Sequence, residues 1–151
     1  MKILIAEDQR PTAHYLRRLL ERMSHEVLHA SDGEEAWDLF RRERPPLVIS
    51  DWMMPRLDGL ELCRRVRGQL AEGYTYVILL TARNSREDKL SGLNAGADDF
   101  LTKPVDADEL GVRLEIASRI LSVHQALNRQ NSRLMEMAAT DELTGVSNRR
   151  R

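Results

Sequence analysis

Five short apolar runs, separated by segments of helical spacing, constrain this chain more than any other feature. They are Lys2-Ile3-Leu4-Ile5-Ala6, Glu26-Val27-Leu28-His29-Ala30, Leu47-Val48-Ile49-Ser50-Asp51, Tyr76-Val77-Ile78-Leu79-Leu80 and Asp99-Phe100-Leu101-Thr102. The first, third and fourth are nearly continuous in apolar residues, the pattern of strands buried on both faces. Between them, Leu16, Leu19, Leu20 and Met23 recur at helical spacing, as do Ala36, Trp37, Leu39 and Phe40, and then Leu60, Leu62, Cys63 and Val66. A fourth helix runs through Leu90 and Leu93 to Ala95 and Gly96. Pro11 suits a first helical turn, Pro45 closes the second helix, and the third ends near Gly68. Ser31 with Glu34, Ser85 with Asp88 and Asp106 with Glu109 read as helix caps. The alternation predicts an α/β fold with a doubly wound, five-stranded parallel sheet and an extended C-terminal helix. Right-handed crossovers leave few strand orders, and the flavodoxin-like order 2-1-3-4-5 is the expectation.

In that order the reversal falls between the first and third strands, where ligands bind outside the carboxyl ends. Glu7, Asp8 and Asp51 meet there, with Thr81 and Lys103 ending the fourth and fifth strands beside them. Taken singly, Asp51 serves equally well as a turn or capping aspartate, Thr81 as a strand-end hydroxyl and Lys103 as a surface lysine. Their convergence on one sheet edge argues for a site. Three carboxylates in a small volume raise one another's pKa unless a cation joins them. All-oxygen ligands favour a hard ion, and Mg2+ fits best. Asp51 can then attack phosphorus, with Lys103 as a point charge and the Thr81 hydroxyl as a donor for the transferred group.

Composition narrows the class. The 151 residues allow one domain with a core plus an appendage, and 23 basic against 24 acidic residues leave a formal charge of -1. That balance argues against nucleic acid as a partner. Cys63 is the single cysteine, which excludes an internal disulfide and fits a reducing, cytoplasmic compartment. The N-terminal apolar run is too short for a signal peptide, and no stretch is suited to span a membrane.

The motifs AED, SDWMMPRLDG around Asp51, LTA at Thr81 and GADDFLTKP at Lys103 resemble the receiver domains of two-component response regulators, over residues 1–122. The resemblance implies that Asp51 is the phosphoacceptor, taking phosphoryl from a sensor histidine kinase or phosphotransfer protein. It implies Mg2+ held by Glu7, Asp8, Asp51 and the Met53 carbonyl, and a cis peptide at Pro104. It further implies a switch through Thr81 and Phe100, and tuning of dephosphorylation by Met53 and Arg83. Homodimerisation through the face of the fourth helix, fifth strand and fifth helix, and through the helical linker, is expected with it.

From Asp106 to about Ala139 there is no Pro and no Gly beyond Gly111, so a helix should project from the domain. Residues 123–139 read as a helical linker and a candidate coiled coil, with Ile120, Leu127 and Leu134 seven residues apart. As d positions they place Ala117, His124, Asn131 and Ala138 at a; as a positions they place Val123, Gln130 and Met137 at d. Residues 140–151 carry TDELTGVSNRR, which resembles the opening of a GGDEF diguanylate cyclase domain, a stub without the catalytic signature. The expectation is therefore a signalling module and no enzyme beyond its own phosphorylation and dephosphorylation, the cyclase output belonging to a longer parent. Two rivals stand beside it. A haloacid-dehalogenase-type phosphohydrolase needs a second acid two residues after the nucleophile, where this chain has Met53. A phosphorylation-independent dimerisation scaffold would not require the acids, Thr81 and Lys103 together.

Overall fold

The computed structural model describes residues 1–69, 73–82 and 86–143. Its elements alternate as β1 (Lys2–Ala6), α1 (Arg10–Arg22), β2 (Glu26–Ala30), α2 (Gly33–Glu43), β3 (Leu47–Asp51), α3 (Gly59–Arg67), β4 (Tyr76–Thr81), α4 (Arg86–Ala95), β5 (Asp99–Thr102) and α5 (Ala107–Leu143). All strand pairs are parallel, in the order β2-β1-β3-β4-β5.

Strand alternation divides the core into two layers. Ile3, Ile5, Leu47, Ile49, Ile78, Leu80 and Leu101 pack on Leu16, Leu19 and Leu20 of α1 and Leu110, Leu114, Ala117 and Leu121 of α5. Leu4, Ala6, Val48, Val77 and Leu79 point the other way, onto Ala36 and Phe40 of α2, Leu62, Cys63 and Val66 of α3, and Ala95 of α4. Burial on both faces explains why β3 and β4 are apolar until their last residues.

The caps differ in one place from the sequence reading. Asp32, not Ser31, is the N-cap of α2, accepting from Glu35 N at 2.8 Å, while Glu35 Oε1 accepts from Ser31 N. The box is displaced by one residue because the Asp32 carboxylate, a stronger, charged acceptor than the Ser31 hydroxyl, takes the amide of Glu35 in place of that of Glu34. Asp58 caps α3 from Glu61 N, and Asp106 caps α5 from Glu109 N. Ser85 lies outside the described residues.

Two helices depart from a simple amphipathic pattern. On α4, Gly92 and Ala95 are buried while Leu90 and Leu93 are 49% and 52% exposed. A Cβ on Gly92 would sit 2.5 Å from Phe100 Cε1, so glycine lets α4 lie close over β5. The helix α5 is 37 residues long, and Leu121 is its last residue in the core. No described helix is long and apolar enough to cross a membrane.

Candidate functional site

Register assembles the site. Ala6 pairs with Ser50, so Glu7 follows β1 level with Asp51. Asp51 pairs with Leu80, and Thr81 with Thr102, which brings Thr81 and Lys103 to the same edge. Lys103 N donates to Thr81 O at 2.8 Å, fixing the two strand ends together. The resulting cleft of about 360 Å³ is lined by Asp8, Gln9, Asp51, Trp52, Met53, Thr81, Ala82, Asp88 and Lys103.

Asp51 is buried, and both of its carboxylate oxygens are engaged. Oδ1 accepts from Trp52 N at 2.8 Å, and Oδ2 lies 3.0 Å from Lys103 Nζ. The same ammonium stands 3.0 Å from Glu7 Oε1. Both contacts are ion pairs to one ammonium, and the Glu7 carboxylate is fully buried. Burial pushes the Glu7 carboxyl up to about 7, against the opposing pull of Lys103 and of the Gln9 amide that donates to Oε2. His29 Nε2 is 2.9 Å from Glu7 O, which steadies the backbone where β1 ends.

Glu7, Asp8 and Asp51 present carboxylate oxygens that all lie within 4.8 Å of one another. Three hard oxygen donors, one of them from the fully buried Glu7, fit a divalent cation of the Mg2+ type better than a soft metal. The loop after Asp51 is held against the strand: Gly59 N donates to Trp52 O at 2.9 Å, and a Cβ on Gly59 would fall 2.2 Å from Asp51 O. The glycine after Asp58 thus serves close backbone approach beneath Asp51 as well as helix initiation.

The remaining predicted residues are placed as follows. Met53 is exposed at the cleft rim. Thr81 is buried at the end of β4. Phe100 is half-buried and stacks on Trp52, with ring centroids 6.5 Å apart at 27°. The Lys103-Pro104 bond is cis. Arg83 lies outside the described residues. Gln9 and Asp88 line the cleft without having been singled out for it; Asp88 carried only a capping signal in sequence, and its approach depends on how α4 packs.

Comparison with known proteins agrees with this geometry. Residues 3–115 match the family model of the response regulator receiver domain. "Response regulator MprA" of Mycobacterium tuberculosis is 38% identical over 149 residues, 99% of this chain and 64% of the relative. Its namesake in Mycolicibacterium vanbaalenii is 43% identical over 119 residues, 79% of this chain and 51% of the relative. The chain therefore spans between about half and two thirds of the length of these relatives. Among solved structures, the Francisella response regulator 1452 receiver domain superposes with a TM-score of 0.72 at 38% identity, covering 78% of this chain and 96% of that one. The chemotaxis response regulator CheY4 of Vibrio cholerae gives 0.73 at 31% identity, covering 77% and 97%.

Proposed function

The chain belongs to the response regulator receiver domain family, and from that premise we propose that Asp51 is its phosphoacceptor, loaded by a sensor histidine kinase or phosphotransfer protein. The observation that carries this reading is the shared ammonium of Lys103, 3.0 Å from both Asp51 and Glu7 at the bottom of an open cleft. A carboxylate oxygen of Asp51 bonds to phosphorus as the bond from phosphorus to the donor histidine nitrogen breaks, the electron pair leaving with the imidazole. Glu7, Asp8, Asp51 and the Met53 carbonyl would hold Mg2+, which supplies positive charge for the carboxylates and phosphoryl oxygens. Lys103 exchanges its pairing with Asp51 for a phosphoryl oxygen, and Thr81 donates to another.

Switching follows from the same residues. Thr81 moves toward the phosphoryl group and Phe100 turns into the space behind it. Full conversion of a two-state population takes about 5.5 kcal/mol of differential binding, and charged hydrogen bonds supply roughly 1.5 to 3 kcal/mol each. Dimerisation supplies the balance, through the face of α4, β5 and α5 where Leu90, Leu93 and Val112 are exposed. Met53 and Arg83 tune how fast water removes the group. Residues 1–122 form the receiver and 123–139 the helical linker; residues 140–151 support a GGDEF-type output in a longer chain, acting in the cytoplasm.

The test is intact mass after incubation with Mg2+ and a small acyl-phosphate donor. One added phosphoryl group, absent without Mg2+ and in Asp51→Asn, is the expected result. No adduct, with Mg2+ binding established and a stable phosphoryl mimic also failing to bind, contradicts the reading.

A further inference from the structure

A second cavity lies at the amino edge of the sheet, opposite Asp51 and about 17 Å from it along the five residues of β3. Its volume is about 260 Å³. That falls just below the roughly 300 to 1,000 Å³ of drug-sized sites, so the cavity suits a guest of fragment size. The body of the receiver supplies its floor: Pro45 and Pro46 before β3, Gln69 after α3, and Tyr74 and Thr75 before β4. Leu121, His124 and Gln125 of α5 supply its wall. The proline turn is tied to β4, since Tyr76 N donates to Pro46 O at 2.9 Å. Gly73 has φ +96, and a Cβ there would sit 3.4 Å from Asn128 Nδ2, so α5 still passes close to the receiver at Asn128.

One charge governs this cavity. Arg44 ends α2 in the left-handed region, φ 47 and ψ 53, a position that favours glycine. Its guanidinium donates to the neutral side-chain oxygen of Gln69 at 2.9 Å and lies 5.4 Å from the Phe40 ring centroid. Neither partner carries a negative charge. Its sequence neighbour Glu43 pairs with Lys2, and Asp98 takes both Arg67 and the Tyr74 hydroxyl. Arg67 directs further donors to Gly96 O at 2.7 Å and Thr75 O at 2.5 Å. The described residues that line the cavity include no carboxylate. Half-buried Arg44 is therefore left with donor positions suited to an anion and, among the described residues, no protein anion on them.

We infer that this cavity binds a small organic carboxylate, its charged end on the Arg44 fork and its apolar part against Pro45, Pro46 and Leu121. A planar guanidinium matches a carboxylate bidentately. A single cation favours a monoanion over a phosphate dianion, which needs more positive charge to offset its desolvation. The Gln69 amide nitrogen, left over once the oxygen accepts from Arg44, and the Thr75 hydroxyl are further donors at the same site. Tyr74 is held by the His124 ring, stacked at 4.2 Å and 7°, and by the Arg67 guanidinium 4.6 Å from its centroid, so the surface it offers is preorganised.

The floor belongs to the receiver and the wall to α5. An occupant therefore braces the helix where it leaves the core after Leu121. This site lies apart from phosphoryl transfer and goes beyond the function proposed above: it is a second input, at the far edge of the sheet, to the same outgoing helix.

The experiment titrates the isotopically labelled full chain with benzoate and with propionate, without Mg2+ or phosphodonor, and follows the backbone amide, Gln69 side-chain and Arg44 Nε resonances by NMR. Benzamide, the uncharged counterpart of benzoate, and inorganic phosphate are run beside them. Saturable shifts are expected at Arg44, Gln69, Thr75 and His124 and not at Asp51 or Thr81. Benzoate should bind about tenfold or more tighter than benzamide, as a charge-assisted pair requires. Arg44→Gly removes the guanidinium and suits the left-handed backbone, so it tests the site in a chain that keeps its fold. Benzoate binding should fall there to the level of benzamide, and Arg44→Lys should restore it only in part. Amide exchange in α5 around His124 should slow as the site fills. No saturable shift with either carboxylate, benzamide binding as well as benzoate, or benzoate affinity unchanged in Arg44→Gly overturns the proposal. Phosphate binding more tightly than both carboxylates also overturns it. The titrations involve no phosphoryl transfer, so their outcome stands whether or not Asp51 is the acceptor.

Discussion

Lys103 Nζ lies 3.0 Å from Asp51 Oδ2, so the side chain proposed to accept a phosphoryl group rests against the cation proposed to receive its oxygens. Replacing the ammonium removes the charged hydrogen bond proposed from it to the phosphoryl group, worth roughly 1.5 to 3 kcal/mol. Lys103→Met is expected to lower the rate of phosphoryl acceptance by about ten- to a hundredfold. The time course of adduct formation by intact mass checks this; an unchanged rate would show Lys103 to be a bystander.

Glu7 gives the pH dependence. Its folded carboxyl is raised to about 7 from an ordinary value of 4.5, chiefly by burial. Between those values the folded chain holds more protons than the unfolded one, so stability falls as pH rises through that window. Urea unfolding in the absence of divalent metal, repeated across the window, should show this decline. Glu7→Gln should flatten it, and added Mg2+ should offset it at the upper end.

Two glycines make a paired test of packing. A Cβ at Gly59 falls 2.2 Å from Asp51 O, backbone that cannot yield without shifting Asp51. Gly59→Ala should cost about 1 to 3 kcal/mol, the range for overpacking. Gly68 follows α3 with φ -71 and has nothing closer than 3.5 Å, so Gly68→Ala should be neutral or stabilise by about 0.4 to 1 kcal/mol. Thermal or chemical denaturation of the two variants reads the contrast.

The stack of Trp52 on Phe100 offers an optical readout. If Phe100 turns inward on phosphorylation, Trp52 loses a ring neighbour and its emission changes when the phosphoryl mimic binds. Phe100→Ala should abolish that mimic-dependent change. Trp37 stacks instead on Phe40 of α2 and should contribute only a constant background.

Much of this was legible in sequence because parallel strands buried on both faces write themselves as apolar runs, and acids that end such runs stand out against them. Glu7, Asp8, Asp51, Thr81 and Lys103 could be grouped from strand order alone. Other features depend on contacts between distant segments. The close approach of Gly59 to Asp51 was visible only as a turn signal, and Asp88 only as a cap, since neither pattern encodes how α4 and the β3 loop pack. Leu90 and Leu93 satisfied helical spacing, but spacing cannot tell which face meets the sheet; Gly92 over Phe100 decides that. The two registers of the tail were equal in sequence for the same reason, and it is burial of Ala117 and the stack of His124 on Tyr74 that show which side of α5 faces the receiver.

Phosphoryl chemistry at Asp51 leaves an acyl phosphate on that side chain. Reducing the phosphorylated chain with borohydride and mapping the modified peptide by mass locates the acyl phosphate directly. The mark is expected at Asp51 alone, and to vanish with Asp51→Asn. A mark on Glu7, Asp8 or Asp88, or phosphorylation that persists in Asp51→Asn, would contradict the account.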